Sequence, residues 1–146
     1  MAFATGAITD FQKVAGGERF GTANVVLTAT TFENGLKTGR FAKLDAGSLD
    51  NLDGSATPTI AGVVLRNVAS GLEAGATVDA TLYNQVEYVR AGLVTVDVKA
   101  GQTPVKFGAV YASNTTGEAT ATNTDIATGA EFIEEVKSGV WLVRLK

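Results

Sequence analysis

The side chains that most often carry chemistry are missing from this sequence. Its 146 residues include no histidine and no cysteine. That removes the commonest general base and the commonest metal ligands, and with them any Ser-His-Asp or Cys-His arrangement. Carboxylates remain. Glu134 and Glu135 are adjacent on a predicted strand, so they point to opposite faces. Glu87 and Asp97 fall at outward positions with polar neighbours. Neither pair makes the facing acid and base of glycoside hydrolysis. Asp45, Asp50 and Asp53 crowd one Gly- and Ser-rich stretch, DAGSLDNLDGSATP. Calcium uses such oxygens, but the Asp-x-[Asp/Asn]-x-[Asp/Asn]-Gly spacing is absent, and the stretch reads as a solvated turn. Gly16-Gly17-Glu18-Arg19-Phe20-Gly21 and Gly35-Leu36-Lys37-Thr38-Gly39-Arg40 lack the Lys-Ser/Thr that completes a phosphate loop. The sequence therefore predicts no catalytic residue, no metal and no cofactor. It predicts that the chain is not an enzyme and works through its surfaces.

Charge narrows the partners. The net charge is −3 and the pI about 4.9, without the basic footprint of a nucleic-acid binder. Lys106 and Arg144 read as single solvated charges on strand faces. The first ten residues, MAFATGAITD, lack the basic and long apolar regions of a signal peptide. The longest aliphatic run, Val63 to Leu65 near Ile60, is too short to span a membrane. Absent cysteine fits assembly in a reducing cytoplasm. Only 18% of residues are charged, which suits a surface largely covered by partners, because interface cores are depleted in charge.

The elements that must position those surfaces are strands. The length predicts one domain. The stretch from Val86 to Gly117 sets the pattern: Val94, Val96 and Val98 point one way, and Thr95, Asp97 and Lys99 the other. Ala100-Gly101-Gln102 turns the chain, a strand begins at Val105 and Phe107 and runs through Tyr111, and Ser113 to Gly117 has loop composition. Further strands are predicted over 24–31, 36–44 (interrupted at Gly39), 59–68, 77–83 and 86–90. Gly62 marks a bulge or a close backbone approach. Asp125 to Gly129 reads as a turn. Residues 130–136 and 140–145 form a hairpin around Lys137-Ser138-Gly139. Trp141, Val143 and Leu145 share the face that seals the core, with Phe132 or Ile133 opposite. The spacing predicts an all-β fold, a compact antiparallel barrel or sandwich of about 8–10 short strands.

Residues 1 to about 30 differ from the rest. Phe3, Ile8, Phe11, Val14 and Phe20 are apolar anchors in a small, polar, glycine-containing background. Thr9-x-x-Gln12 fits a capping box, with Gly16 closing a helix of barely two turns. Two readings stand: an arm that orders against a partner through these anchors, or a first segment packed on its own domain.

The order of elements from Ile60 to Leu145 carries a resemblance. Ala61-Gly62-Val63-Val64-Leu65 comes first, then VEYVRAGLVTVDV over 86–98, then Gly108-Ala109-Val110-Tyr111 and a Thr-Gly turn. Gly129-Ala130-Glu131-Phe132 and Gly139-Val140-Trp141-Leu142-Val143-Arg144-Leu145 close the chain. This resembles the head decoration, or structural cement, proteins of tailed bacteriophages. The resemblance implies a β-tulip-like domain over 31–146 and a capsid-contacting arm over 1–30. It implies a protein made in the bacterial host cytoplasm and carried on the outer surface of the head. There it would bridge major capsid protein subunits against the pressure of packaged DNA, as a trimer or a dimer. Core candidates are Val94, Val96, Val98, Trp141, Val143 and Leu145; the capsid-contact candidates are the five arm anchors. The alternatives are another β-structured virion part (tail tube, head fibre or head completion) or a carbohydrate-binding module. The latter would use Trp141, Tyr83, Tyr88 or Tyr111 as a platform.

Overall fold

A computed structural model describes residues 16–17, 19–31, 36–54, 57–65 and 85–146. Its regular elements are all strands: β1 (Arg19–Thr30), β2 (Phe41–Asp45), β3 (Ser48–Asn51), β4 (Thr59–Val64), β5 (Gln85–Asp97), β6 (Ala109–Ala112), β7 (Ala119–Thr120), β8 (Ile126–Lys137) and β9 (Val140–Leu145). The predicted strand over 77–83 and the short helix ending at Gly16 lie outside the described residues, Gly16 itself apart.

β5 is the shared wall of the molecule. One edge carries β1 from Thr30 opposite Gln85 to Arg19 opposite Val94. The other edge takes β4 at Tyr88 and Val89, then β9 from Gly92 to Asp97. The order β1-β3-β2-β4-β5, with β5 pairing back onto β1, closes a five-strand barrel. Its one parallel closure is Thr30 against Ser48. On the far side β5 continues into β9-β8-β6-β7. A parallel bridge between Val98 and Ala119 brings β7 back to the tail of β5. The sequence breaks the 86–98 stretch at Ala91-Gly92, but the strand runs through. At that point β1 carries extra residues: Phe20 opposes Leu93, whereas Val25 opposes Ala91. The Asn24 side chain fills the gap, its Oδ1 accepting the Leu93 N–H at 2.9 Å. A Cβ on Gly92 would lie 2.0 Å from that oxygen, so glycine here makes room for β1 rather than a turn.

Two apolar clusters follow. The first joins Leu36, Ala42, Leu49, Ala61, Val64, Val86 and Tyr88. The larger contains Phe41, Val63, Val89, Val94, Val96, Phe132, Trp141, Val143 and Leu145, with Val98 packed against it. Adjacent Val63 and Val64 belong to different clusters, so β4 divides the two. Phe132 meets Trp141 edge to face, with centroids 5.3 Å apart at 72°. The other face of β5 is less polar in environment than its alternation predicts. Thr95 is wholly buried, because the Gly17 N–H donates to its carbonyl and Gly39 accepts from the Asp97 N–H.

Three local readings are corrected. Ser48–Asn51, read as loop, is a strand: Ala46 and Gly47, at φ 49° and 86°, make a two-residue hairpin turn that pairs Asp45 with Ser48. Residues 126–129, read as a turn, open β8, and Gly129 at φ 75° kinks the strand where its register against β6 shifts. The strand placed at Val105 starts only at Ala109.

Candidate binding surface

Among the described residues, the acidic side chains do not assemble a reactive site. Asp53 pairs with Lys43 Nζ at 2.9 Å, and this hydrogen bond raises the pKa of the buried Lys43. Asp50 accepts from the Ser48 hydroxyl. Glu134 and Glu135 are both exposed, within a stretch where the β8–β9 register slips twice. Among the described residues, no three His, Cys, Asp or Glu side chains lie where they could hold a metal ion. No helix among them is long and apolar enough to cross a membrane. Among the described residues, the aromatic platform candidates are not fully exposed. Tyr88 and Trp141 are buried, Tyr111 is half-buried, and Tyr83 lies outside the described residues.

What the surface offers is apolar side chains. Val105 and Phe107 are 66% and 65% exposed, and Val25, Leu27 and Leu44 follow at lower values. The loop from β5 to β6 builds the tip. Pro104 and Gly108 bracket it, a turn signal that the apolar spacing of Val105 and Phe107 masks in the sequence. Phe107 sits at φ 65°, the left-handed region that bulky side chains avoid. Its N–H donates to the Phe132 carbonyl at 2.6 Å, the Phe132 N–H donates to the Gly108 carbonyl at 2.9 Å, and the Gly108 N–H donates to the Val105 carbonyl at 2.9 Å. Lys106 Nζ lies 5.4 Å from the Phe107 ring centre.

A second feature is the point where the N-terminal segment joins the barrel. The Gly16 N–H donates to Asp97 Oδ1 at 3.1 Å, and Gly16 lies against the backbone of Gly39. Arg40 and Glu118 stand beside Asp97, their own charged groups 3.9 Å apart. Burial raises the Asp97 pKa, opposed by the Gly16 hydrogen bond. The position is neither outward nor fully solvated. Of the arm anchors, Phe3, Ile8, Phe11 and Val14 lie outside the described residues, and Phe20 is described only in its backbone, opposite Leu93. Arg19–Thr30, grouped with the arm in the sequence, is a barrel strand.

Comparison with known proteins places this architecture. The chain matches a solved structure reported as the capsid of Myoviridae phage XM1, with a TM-score of 0.81 and 36% identity. The match covers 91% of this chain and 90% of that one. No curated protein matches. The family model for the XM1 gp53 minor capsid protein matches residues 7–146, which includes every described strand. This chain, a phage capsid-associated β protein, belongs to the XM1 gp53 minor capsid protein family.

Proposed function

We propose that the chain is a non-enzymatic decoration protein. It binds the outer surface of the phage head and bridges major capsid protein subunits, stabilising the expanded shell against the DNA packed inside. It acts as an oligomer, a trimer in preference to a dimer, and residues 1–15 serve as an arm whose anchors are Phe3, Ile8, Phe11 and Val14. The observation that carries this reading is the surface itself. In a chain of a minor capsid protein family, the described residues present exposed apolar side chains instead of convergent reactive groups. Several modest contacts on one oligomer act together through high effective concentration. Two contacts on different shell subunits add interface energy that outward expansion must break.

The test uses heads assembled without the protein. Purified chain added back is expected to bind saturably and to raise the temperature at which the heads release their DNA. Heads equally stable with and without bound protein would overturn the stabilising role, and heads that bind none would overturn decoration.

A further inference from the structure

We propose that Phe107 is the anchor by which the folded domain grips the shell, inserting into an apolar socket with an acidic rim on a capsid subunit. This inference rests on the decoration reading and names the surface that performs it.

Three observations carry it. Phe107 and Val105 are the two most exposed large hydrophobic side chains among the described residues. A solvated turn at positive φ is ordinarily served by Gly or Asn, yet a phenylalanine is held there at φ 65°. Strain of this kind persists where the surroundings impose it, and it concentrates at functional sites. Here the imposing group is the backbone of Phe132, a wholly buried core residue that both accepts from Phe107 and donates to Gly108. The tip is thus fixed before docking, which limits the ordering cost of binding.

The relief around the tip suits a socket. A hollow of about 380 Å³ borders the tip, lined by Val105, Ala109, Tyr111 and Thr122 among others. Another of about 320 Å³ is lined by Phe107, Glu131 and Lys146 among others. The walls of a socket that swallows Phe107 have these hollows to fill.

Charge sets the chemistry of the rim. Lys106 lies by the ring and Lys146 borders the second hollow. Glu131 is already engaged by Arg144 at 3.2 Å. The tip is therefore locally positive on a chain of net charge −3, and its complement is acidic. Area argues against a second copy of this chain as the occupant. A two-residue tip covers far less than the roughly 800 Å² per partner of a stable pair. On a lattice, the same small contact is one of several that each bound molecule makes.

The experiment measures co-sedimentation of the full chain with undecorated expanded heads. Phe107→Asn keeps a residue that tolerates the left-handed backbone while removing the ring. It is expected to weaken binding about tenfold or more, with an unchanged or higher unfolding midpoint and unchanged oligomeric mass. Lys106→Glu is expected to weaken binding as well, and Lys37→Glu, the same charge reversal at an exposed residue that lines neither hollow, to stay within about twofold of the parent. Parent-like binding by Phe107→Asn overturns the anchor and leaves decoration standing. A changed oligomeric mass in Phe107→Asn also overturns it, by making the tip a self-contact. A parent chain that does not bind heads overturns the decoration reading instead.

Discussion

Asp97 holds Gly16 by its backbone N–H at 3.1 Å, while Gly16 leaves no room for a side chain against Gly39. The join fixes Gly16 at the end of β5, beside its last pairing with β9 at Val140. The carboxylate is partly desolvated there, and burial raises its pKa above 3.8. Arg40 opposes the shift and Glu118 adds to it.

The sign of the pH dependence follows. A carboxyl whose folded pKa is raised favours the fold fully at pH below its unfolded value, and that contribution is lost as pH rises through the folded pKa. Asp97→Asn keeps an oxygen that accepts from Gly16 and removes the titration. Relative to the parent, it is expected to gain stability between pH 4 and pH 7. Asp97→Ala leaves the Gly16 N–H without its acceptor and is expected to lose about 1–3 kcal/mol across that range. Urea unfolding at the two pH values checks both; a parent-to-Asn difference that does not move with pH would sink the desolvation argument.

Two glycine substitutions separate crowding from backbone conformation. A Cβ on Gly62 would lie 2.0 Å from the Val89 carbonyl oxygen, a backbone atom of β5 that cannot swing aside. Gly62→Ala is expected to cost about 3 kcal/mol or more, because it pries β4 from β5. Gly47 sits at φ 86° with nothing near its missing Cβ. Gly47→Ala should therefore cost about 1–2 kcal/mol, the ordinary penalty of left-handed backbone. Equal losses at both sites, measured by chemical denaturation, would contradict the close approach.

The glycines also explain what the sequence reveals and what it hides. The β8–β9 hairpin is legible because Val140 to Leu145 is strongly β-forming and Ser138-Gly139 turns it. Val94, Val96, Trp141, Val143 and Leu145 are legible as core because every one sits in the larger cluster. Gly92 misleads because it is a turn signal in sequence and a site of crowding in space, with Asn24 seated on it. Thr95 misleads because the backbone of Gly17, distant in sequence, covers it. Ala46 misleads because alanine seldom takes φ 49°, so β3 is lost to a loop. The Phe107 tip is hidden for the same reason: positive φ at a bulky residue has no local sequence signature.

The edge-to-face pair of Phe132 and Trp141 supplies a probe of the core. Trp141 is the sole tryptophan and is buried, so its fluorescence reports the β8–β9 face alone. Phe132→Ala is expected to destabilise by about 3–5 kcal/mol, since it empties a wholly buried site. Phe132→Leu should recover most of that loss while shifting the Trp141 emission, because it removes the ring contact and keeps most of the volume. Unchanged emission in the Leu variant would show that the pair does not report on the core.

Truncation separates the arm from the barrel, and the position of β1 dictates where to cut. Removing residues 1–30 takes away the whole of β1, and with it the pairing along one edge of β5 from Gln85 to Val94. That variant is expected to lose cooperative unfolding, so its failure to bind heads would say nothing about an arm. A chain beginning at Gly16 keeps β1, the Asp97 contact and the Gly17 bond to Thr95. It is expected to unfold within about 4 °C of the parent, the shift that roughly 1 kcal/mol produces in a domain of this size. If residues 1–15 form a capsid-contacting arm, this shorter chain binds undecorated heads much more weakly at unchanged stability. Parent-like binding by the shorter chain would overturn the arm and leave the folded domain, Phe107 included, to make the contact alone.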